Sequence, residues 1–184
     1  MTEKEKMLAE QIYNANYDEE LIKERNIAKD KCYEYNNIKP SKTEERKNLM
    51  KTILGKTAKN FLIEQPFICD YGYNIEIGEN FYSNHNLTIL DGNKVEFGDN
   101  VFIAPNCSFY TATHPLDYKQ RNEGLEYAKP IKVGNNVWIG GNVVVLPGVT
   151  IGDNVVIGAG SIVNKSIPPN SVAVGNPCKV IKRM

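Results

Sequence analysis

Residues 131–172 read in sixes: IKVGNN, VWIGGN, VVVLPG, VTIGDN, VVIGAG, SIVNKS and IPPNSV. The first position is held by Ile131, Val137, Val143, Val149, Val155, Ser161 and Ile167, and the third by Val133, Ile139, Val145, Ile151, Ile157, Val163 and Pro169. A period of six suits neither an amphipathic helix nor a hairpin meander, because the apolar alternation is broken in unit after unit by Gly, Asn or Asp. Each hexad is therefore one short strand and one tight corner. A single unit cannot bury its apolar positions alone, so stability comes from stacking units into a solenoid with a parallel β-helix cross-section. Gly134, Gly140, Gly152 and Gly158 recur at the fourth position, where a corner needs either a positive φ or close backbone approach.

The same phase runs back to residue 61 through FLIEQP, FICDYG, IEIGEN, FYSNHN, LTILDG, VEFGDN, VFIAPN and CSFYTA, with two extra residues before IEIGEN and two before VEFGDN. Of the fifteen first positions between 61 and 167, only Ser161 is polar. From 113 to 130 the rhythm lapses, and THPLDYKQRNEGLEYAKP is thrown out as a loop. The chain thus divides into a segment at 1–60, a hexad β-helix at 61–172 with its extruded loop at 113–130, and a tail at 173–184.

The first 60 residues hold 24 charges, 13 basic and 11 acidic, and are read as helices. Thr2 with Glu5, and Ser41 with Glu44, fit capping boxes. Met7, Leu8 and Ile12, then Leu21, Ile22, Ala28, Cys32 and Tyr35, then Leu49, Met50, Ile53 and Leu54, form apolar stripes at helical spacing. The terminal coil of a solenoid exposes apolar ends that need covering, so these helices are expected to cap it. The alternative is that the loop Tyr13–Asp18 closes over a ligand.

Charge and composition narrow the function. Lys and Arg number 22 against 22 Asp and Glu, so no overall field draws the chain to nucleic acid or anionic lipid. The charged start MTEKEKMLAEQ lacks the apolar core of a signal peptide, and no run approaches the roughly 20 apolar residues of a membrane span. A cytoplasmic location is expected. The four cysteines, Cys32, Cys69, Cys107 and Cys178, show no metal-ligand spacing and are read as free structural thiols.

Two histidines bear on chemistry. His114 stands where the rhythm breaks and precedes Pro115, which holds it extended; a His at a loop mouth suits a general base working near pH 7. His85 lies inside a hexad corner and is read as structural. No GxSxG and no Cys–His pattern supports a nucleophilic mechanism, and two histidines fall short of a three-ligand zinc site, so no metal is expected. Asp70, Asn84 and Asp91, read as lying at adjacent corners of successive coils, are candidates to line one face with groups that hydrogen-bond a sugar. Lys165, Lys179, Lys182 and Arg183 put four cations near one end, suited to a phosphorylated ligand.

The hexads, THP at 113–115, VGNNVWIGGNVVVLPGVTIGDNVVIGAGSIV at 133–163 and the ending GNPCKVIKRM resemble the maltose and galactoside O-acetyltransferases. FICDYGYNI and YTATHPLD are closer to the maltose type, and the likeness extends over almost the whole chain, including EKEKMLAEQIYNA. The resemblance implies a left-handed parallel β-helix, a homotrimer with active sites between neighbouring prisms, acetyl-CoA as donor, and a sugar hydroxyl, usually that on carbon 6, as acceptor. It makes His114 the base for direct transfer in a ternary complex, with Asn84 and Asp70 holding the acceptor and the Gly141 N–H donating to the thioester oxygen. Asn14 and Asp91 join the acceptor residues. Trp138, Ala159, Asn164 and Lys165 would follow the pantetheine arm, and Lys179 and Lys182 would meet the nucleotide phosphates. Asn14 stands where galactoside-type members often have Asp, Gly92 where a second acid can occur, His85 where an aromatic is common, and Lys179 and Lys182 where Arg is common. Two other readings remain open from the residues: a hexapeptide acetyltransferase acting on serine or a xenobiotic hydroxyl, and a non-catalytic solenoid scaffold.

Overall fold

Each hexad up to residue 166 becomes a strand of two to four residues whose inward side chains are the apolar ones, as in Phe67–Cys69, Val101–Ile103, Ile131–Val133 and Val137–Ile139, where the outer residues are buried and the middle one is exposed. The last, IPPNSV, departs from its reading: Ile167 only bridges the third-position Ile151, Pro169 is exposed, and Ser171 takes the first-position place beside Val155, because the corner after Val163 is two residues shorter. A computed structural model describes the whole chain, Met1–Met184. Successive strands fall in turn on three parallel sheets, giving a three-faced prism of about 6 turns. The first face runs through Phe61–Ile63, Phe81–Ser83, Val101–Ile103, Val137–Ile139, Val155–Ile157 and Ser171–Val174, and the tail strand Lys179–Arg183 folds back antiparallel on its end. The second face runs through Phe67–Cys69, Leu87–Leu90, Ser108–Tyr110, Val144–Val145 and Ile162–Val163. The third runs through Lys56–Thr57, Ile75–Ile77, Val95–Phe97, Ile131–Val133 and Thr150–Ile151.

Inside, 34 buried residues form one continuous core. Phe81, Phe97 and Phe109 stack edge to face within it, with ring centroids 5.1 and 5.0 Å apart. Ser161, the polar exception among first positions, is fully buried but satisfied: its hydroxyl donates to the Gly158 carbonyl at 2.6 Å and accepts from the Gly175 N–H at 3.0 Å.

The corners divide the labour that sequence spacing assigned to glycine. Positive φ falls two residues later, on Asn136, Asn142 and Asn154, and none of Gly134, Gly140 or Gly152 has it. Those glycines serve close approach instead. A Cβ on Gly140 would lie 2.6 Å from the Ala159 nitrogen, and one on Gly152 the same distance from the Pro169 nitrogen.

All departures from the hexad rhythm collect on the edge between the second and third faces. The corner Asp70–Asn74 carries the first two extra residues, Asp91–Lys94 carries the next insertion, and the loop at 113–130 leaves from the coil above. Stacked insertions broaden this one edge, while the other two edges keep short corners.

Helix α1 (Glu3–Leu8) opens with the Thr2–Glu5 capping box as expected. Helices α2 (Glu19–Asn37) and α3 (Thr43–Ile53) press Ala28, Cys32, Tyr35, Met50 and Ile53 into the prism core and so cap its first coil. The Ser41–Glu44 capping box does not form. Helix α3 starts at Thr43 behind Lys42, which makes no side-chain cap bond, and two acidic residues in the first turn complement the helix dipole instead. All four cysteines are free and buried, with the Cys32 and Cys69 sulfurs 3.6 Å apart.

The segment that was a candidate lid takes a fixed place. Tyr13–Asn14 pairs antiparallel with Leu125–Ala128, which pairs in turn with Ala112–Thr113, so the N-terminus is stitched to the root of the extruded loop. Asn93 secures the junction from below. Its side-chain amide donates to the carbonyls of Met7 at 3.0 Å and Ala128 at 3.1 Å. The loop's outer turn holds the short helix α4 (Tyr118–Asn122), capped by Asp117.

Candidate active site

His114 follows the strand Ala112–Thr113 at the point where the loop leaves the prism, and Pro115 keeps it extended. Its Nδ1 lies 3.3 Å from the Leu125 carbonyl. A proton on Nδ1 satisfies that carbonyl, which leaves Nε2 with its lone pair free. Nε2 stands 3.9 Å from Glu126 Oε1, with the imidazole half exposed and the Glu126 side chain 17% exposed. The second Glu126 oxygen accepts a 3.0 Å bond from the Tyr13 hydroxyl. Burial, and then the Glu126 charge, push that hydroxyl far above the usual phenol range, so it remains a donor. Gly92 leaves room for it: a Cβ there would lie 3.2 Å from the Tyr13 oxygen. The space over Gly92 is thus filled by Tyr13 delivering a bond to Glu126.

Asp70 lies on the same broad edge. Its carboxylate has no hydrogen-bond partner within the chain; burial raises its pKa, the Arg25 guanidinium opposes the rise, and Glu126 adds to it. Arg25 is itself held by the Tyr71 hydroxyl at 2.7 Å and the Ala15 carbonyl at 2.6 Å. Asn14 stands next to this group, its side-chain oxygen accepting from the Tyr17 N–H at 3.0 Å.

Asp91 does not face out of this edge. It is fully buried, and Oδ1 accepts the backbone N–H groups of Asp70 at 3.0 Å and Tyr71 at 2.8 Å. The insertions curl the Asp70–Asn74 corner over it, which the spacing of acidic residues did not reveal. Burial pushes its carboxyl up to about 7, although the backbone amides pull the other way. In the unfolded chain the group ionises near 4, so between about pH 4 and 7 the folded state holds a proton that the unfolded state has released. The contribution of Asp91 to stability therefore falls as pH rises through this window. Melting temperatures measured across it are expected to decline more steeply for the wild type than for Asp91→Asn; parallel slopes would refute this.

Nor does Asn84 share an edge with Asp70. It sits between the first and second faces, one corner away, and its side-chain oxygen accepts from the His85 N–H at 2.8 Å. From Asn84 to the next corner the chain runs about 6 residues, a span of up to about 20 Å. Gly141 and Ala159 lie on the Asn84 edge, and neither of their amides donates a hydrogen bond within the chain. His85 on the same edge meets the Gln65 carbonyl through Nδ1 at 2.6 Å, consistent with a structural role. Asn164 and Lys165 stand on the His114 edge, higher up the stack.

The cation group divides in the same way. Lys179 and Lys182 pair with Val174 and Val172 in the C-terminal hairpin over the first face, away from Lys165. Arg183 bonds Ser171 Oγ at 3.2 Å and the Pro169 carbonyl at 3.3 Å, which fixes the hairpin.

Trp138 is 57% exposed on the first face, in a stripe of outward side chains set one above another by the strand register: Leu62, Tyr82, Phe102, Trp138, Val156 and Val172. The equivalent stripe on the third face is Lys56, Glu76, Glu96, Lys132 and Thr150. One face is dressed for water and the other is not.

Tyr13, Arg25, Tyr71 and Glu126 escaped the reading of the sequence. Tyr13 and Glu126 are 113 positions apart, and no motif or period links them.

A three-faced parallel β-helix of hexads, with a histidine at the root of its one extruded loop, is the architecture of the hexapeptide-repeat acyltransferases. Residues 130–165 match the bacterial transferase hexapeptide family (six repeats), and residues 6–58 match the maltose acetyltransferase hexapeptide capping motif. The fold superposes on that of a maltose O-acetyltransferase from Clostridium difficile 630 with a TM-score of 0.98, at 54% identity over 100% of this chain and 98% of that one. It superposes on a galactoside acetyltransferase in complex with coenzyme A with a TM-score of 0.95, at 48% identity over 100% and 91% of the two chains. The galactoside O-acetyltransferase of Escherichia coli K12 is 51% identical over 166 residues, 90% of this chain and 82% of that protein. This chain is an acyltransferase and belongs to the maltose and galactoside O-acetyltransferase family.

Proposed function

We propose that the chain transfers the acetyl group of acetyl-CoA to a hydroxyl of a small sugar, of the maltose or glucose type and at carbon 6, with His114 as general base. The observation that carries this reading is the Nε2 of His114, which makes no hydrogen bond within the chain and lies on the same edge as the unpaired Asp70 carboxylate, with Nδ1 held by the Leu125 carbonyl. The acceptor hydroxyl gives its proton to Nε2 as its oxygen attacks the thioester carbonyl. Collapse of the tetrahedral intermediate expels the CoA sulfur, which takes the proton from His114, so no acyl-enzyme is needed. The complex with coenzyme A of the galactoside acetyltransferase relative supports the donor.

The candidate residues occupy two edges of one prism, and this supports a composite site. His114, Asp70, Asn164 and Lys165 on one copy would face Asn84, Gly141 and Ala159 on the next, with the Gly141 N–H aimed at the developing oxyanion and Asn84 at the sugar. Trp138 would pack along the pantetheine arm, and Lys179 and Lys182 would meet the nucleotide phosphates. Three copies around an axis close such an arrangement and cover the apolar first face. No helix of the chain is long and apolar enough to cross a membrane.

Release of free thiol from acetyl-CoA, with maltose, glucose, a galactoside, serine and chloramphenicol offered in turn, tests the reaction. Sugar-dependent release is expected; release only with serine or chloramphenicol would replace the acceptor, and absence of CoA binding would overturn the function. Assembly is tested separately. Phe102, 48% exposed in the middle of the apolar stripe, is expected on substitution Phe102→Glu to shift the mass seen by light scattering from trimer to monomer. Activity should fall at least about 10-fold with the composite site, because binding determinants are then lost from one side. A fully active trimer of this variant would refute the proposed interface.

A further inference from the structure

We propose that Asp91 is a positioning residue for the acceptor sugar: its buried side chain ties the enlarged Asp70–Asn74 corner into the shape that presents Asp70 on the His114 edge. The inference rests on the reading of Asp70 as an acceptor contact. Three backbone N–H groups of the corner converge on this one side chain, those of Asp70 and Tyr71 on Oδ1 and that of Asn74 on Oδ2 at 3.4 Å. The Asn74 side-chain amide then closes the loop from the other direction, donating to the Asp91 carbonyl at 2.8 Å.

The corner needs such a clamp because it is irregular. Ordinary corners of this prism are held by the coil above and below, whereas this one carries two extra residues and turns through Gly72 at φ +78°. A side chain at Gly72 would press on Ile53, so the corner is also wedged beneath the helical cap. Asp91 thus fixes both ends of the functional pair that leaves the corner: Asp70, on the His114 edge with its carboxylate unpaired, and Tyr71, whose hydroxyl holds Arg25. The ionisable groups around Asp91 are Cys69, Asp70, Tyr71 and Tyr73, and no Lys or Arg bonds to it. Its partners are backbone amides, so its influence passes through chain geometry.

A double-mutant cycle on the trimeric enzyme tests this. Asp70→Asn, Asp91→Asn and the double variant are compared for KM of the sugar, KM of acetyl-CoA and kcat, with melting temperature as the control on folding. If Asp91 acts through Asp70, each single change raises the sugar KM by roughly 10-fold and the double change by about the same factor, not roughly 100-fold. The acetyl-CoA KM should move by less than about twofold in all three, a split that general loosening of the fold would not produce. An unchanged sugar KM in Asp91→Asn, or multiplicative losses in the double variant, would overturn the proposal. An unchanged sugar KM in Asp70→Asn would instead overturn the reading of Asp70. If Asp91→Asn fails to fold, Asn74→Ala, which removes one strand of the same clamp, is read in the same cycle with the same two outcomes.

Discussion

His114→Ala is expected to lower kcat by about 100- to 10,000-fold while leaving the melting temperature within a few degrees of the wild type. The two halves of that expectation have different origins. The imidazole is half exposed and makes a single 3.3 Å contact with a carbonyl, so its removal opens no cavity and strands no buried charge. The chemical step, by contrast, loses the group proposed to accept the hydroxyl proton. The KM for acetyl-CoA should change little, because the residues proposed to hold the nucleotide are Lys179 and Lys182, on the C-terminal hairpin. Single-turnover measurement of CoA thiol release separates the chemical step from product release. Retention of near-full turnover would remove His114 from the mechanism.

The largest effect on stability is expected from Phe97→Ala, at about 3–5 kcal/mol. Phe97 is 5% exposed and joins the rings of Phe81 and Phe109 across the prism, in edge-to-face contacts on both sides. Its loss leaves a void between the rings of two adjacent coils, and the corner glycines bring backbone so close to backbone that those coils cannot collapse around it. Chemical denaturation at fixed protein concentration measures it, since the stability of an oligomer depends on concentration. A loss below about 1 kcal/mol would mean that the prism yields where the packing says it is rigid.

Much of this architecture was legible in the linear chain. The hexads named the inward residues, the lapse at 113–130 named the loop, and the isolation of His114 at its mouth singled out the candidate base. The capping role of the helices followed from the exposed end that any solenoid has. The separation of Asn84 from Asp91 also follows from spacing, because they stand in consecutive hexads and consecutive corners of a three-faced prism lie on different edges. The role of the corner glycines stayed open between two purposes, and only the distance to the next coil decided it for close approach.

What the sequence alone determined is therefore the direction of each side chain, inward or outward, because strand alternation and the sixfold corner are properties of neighbouring residues. What the tertiary structure decided is which groups meet. Glu126 reaches Tyr13 across 113 positions, Asp91 disappears beneath a corner whose extra residues curl over it, and the apolar stripe from Leu62 to Val172 appears only when the coils are stacked in register. Those meetings depend on coil closure and on where insertions accumulate, and neither is set by any local run of residues.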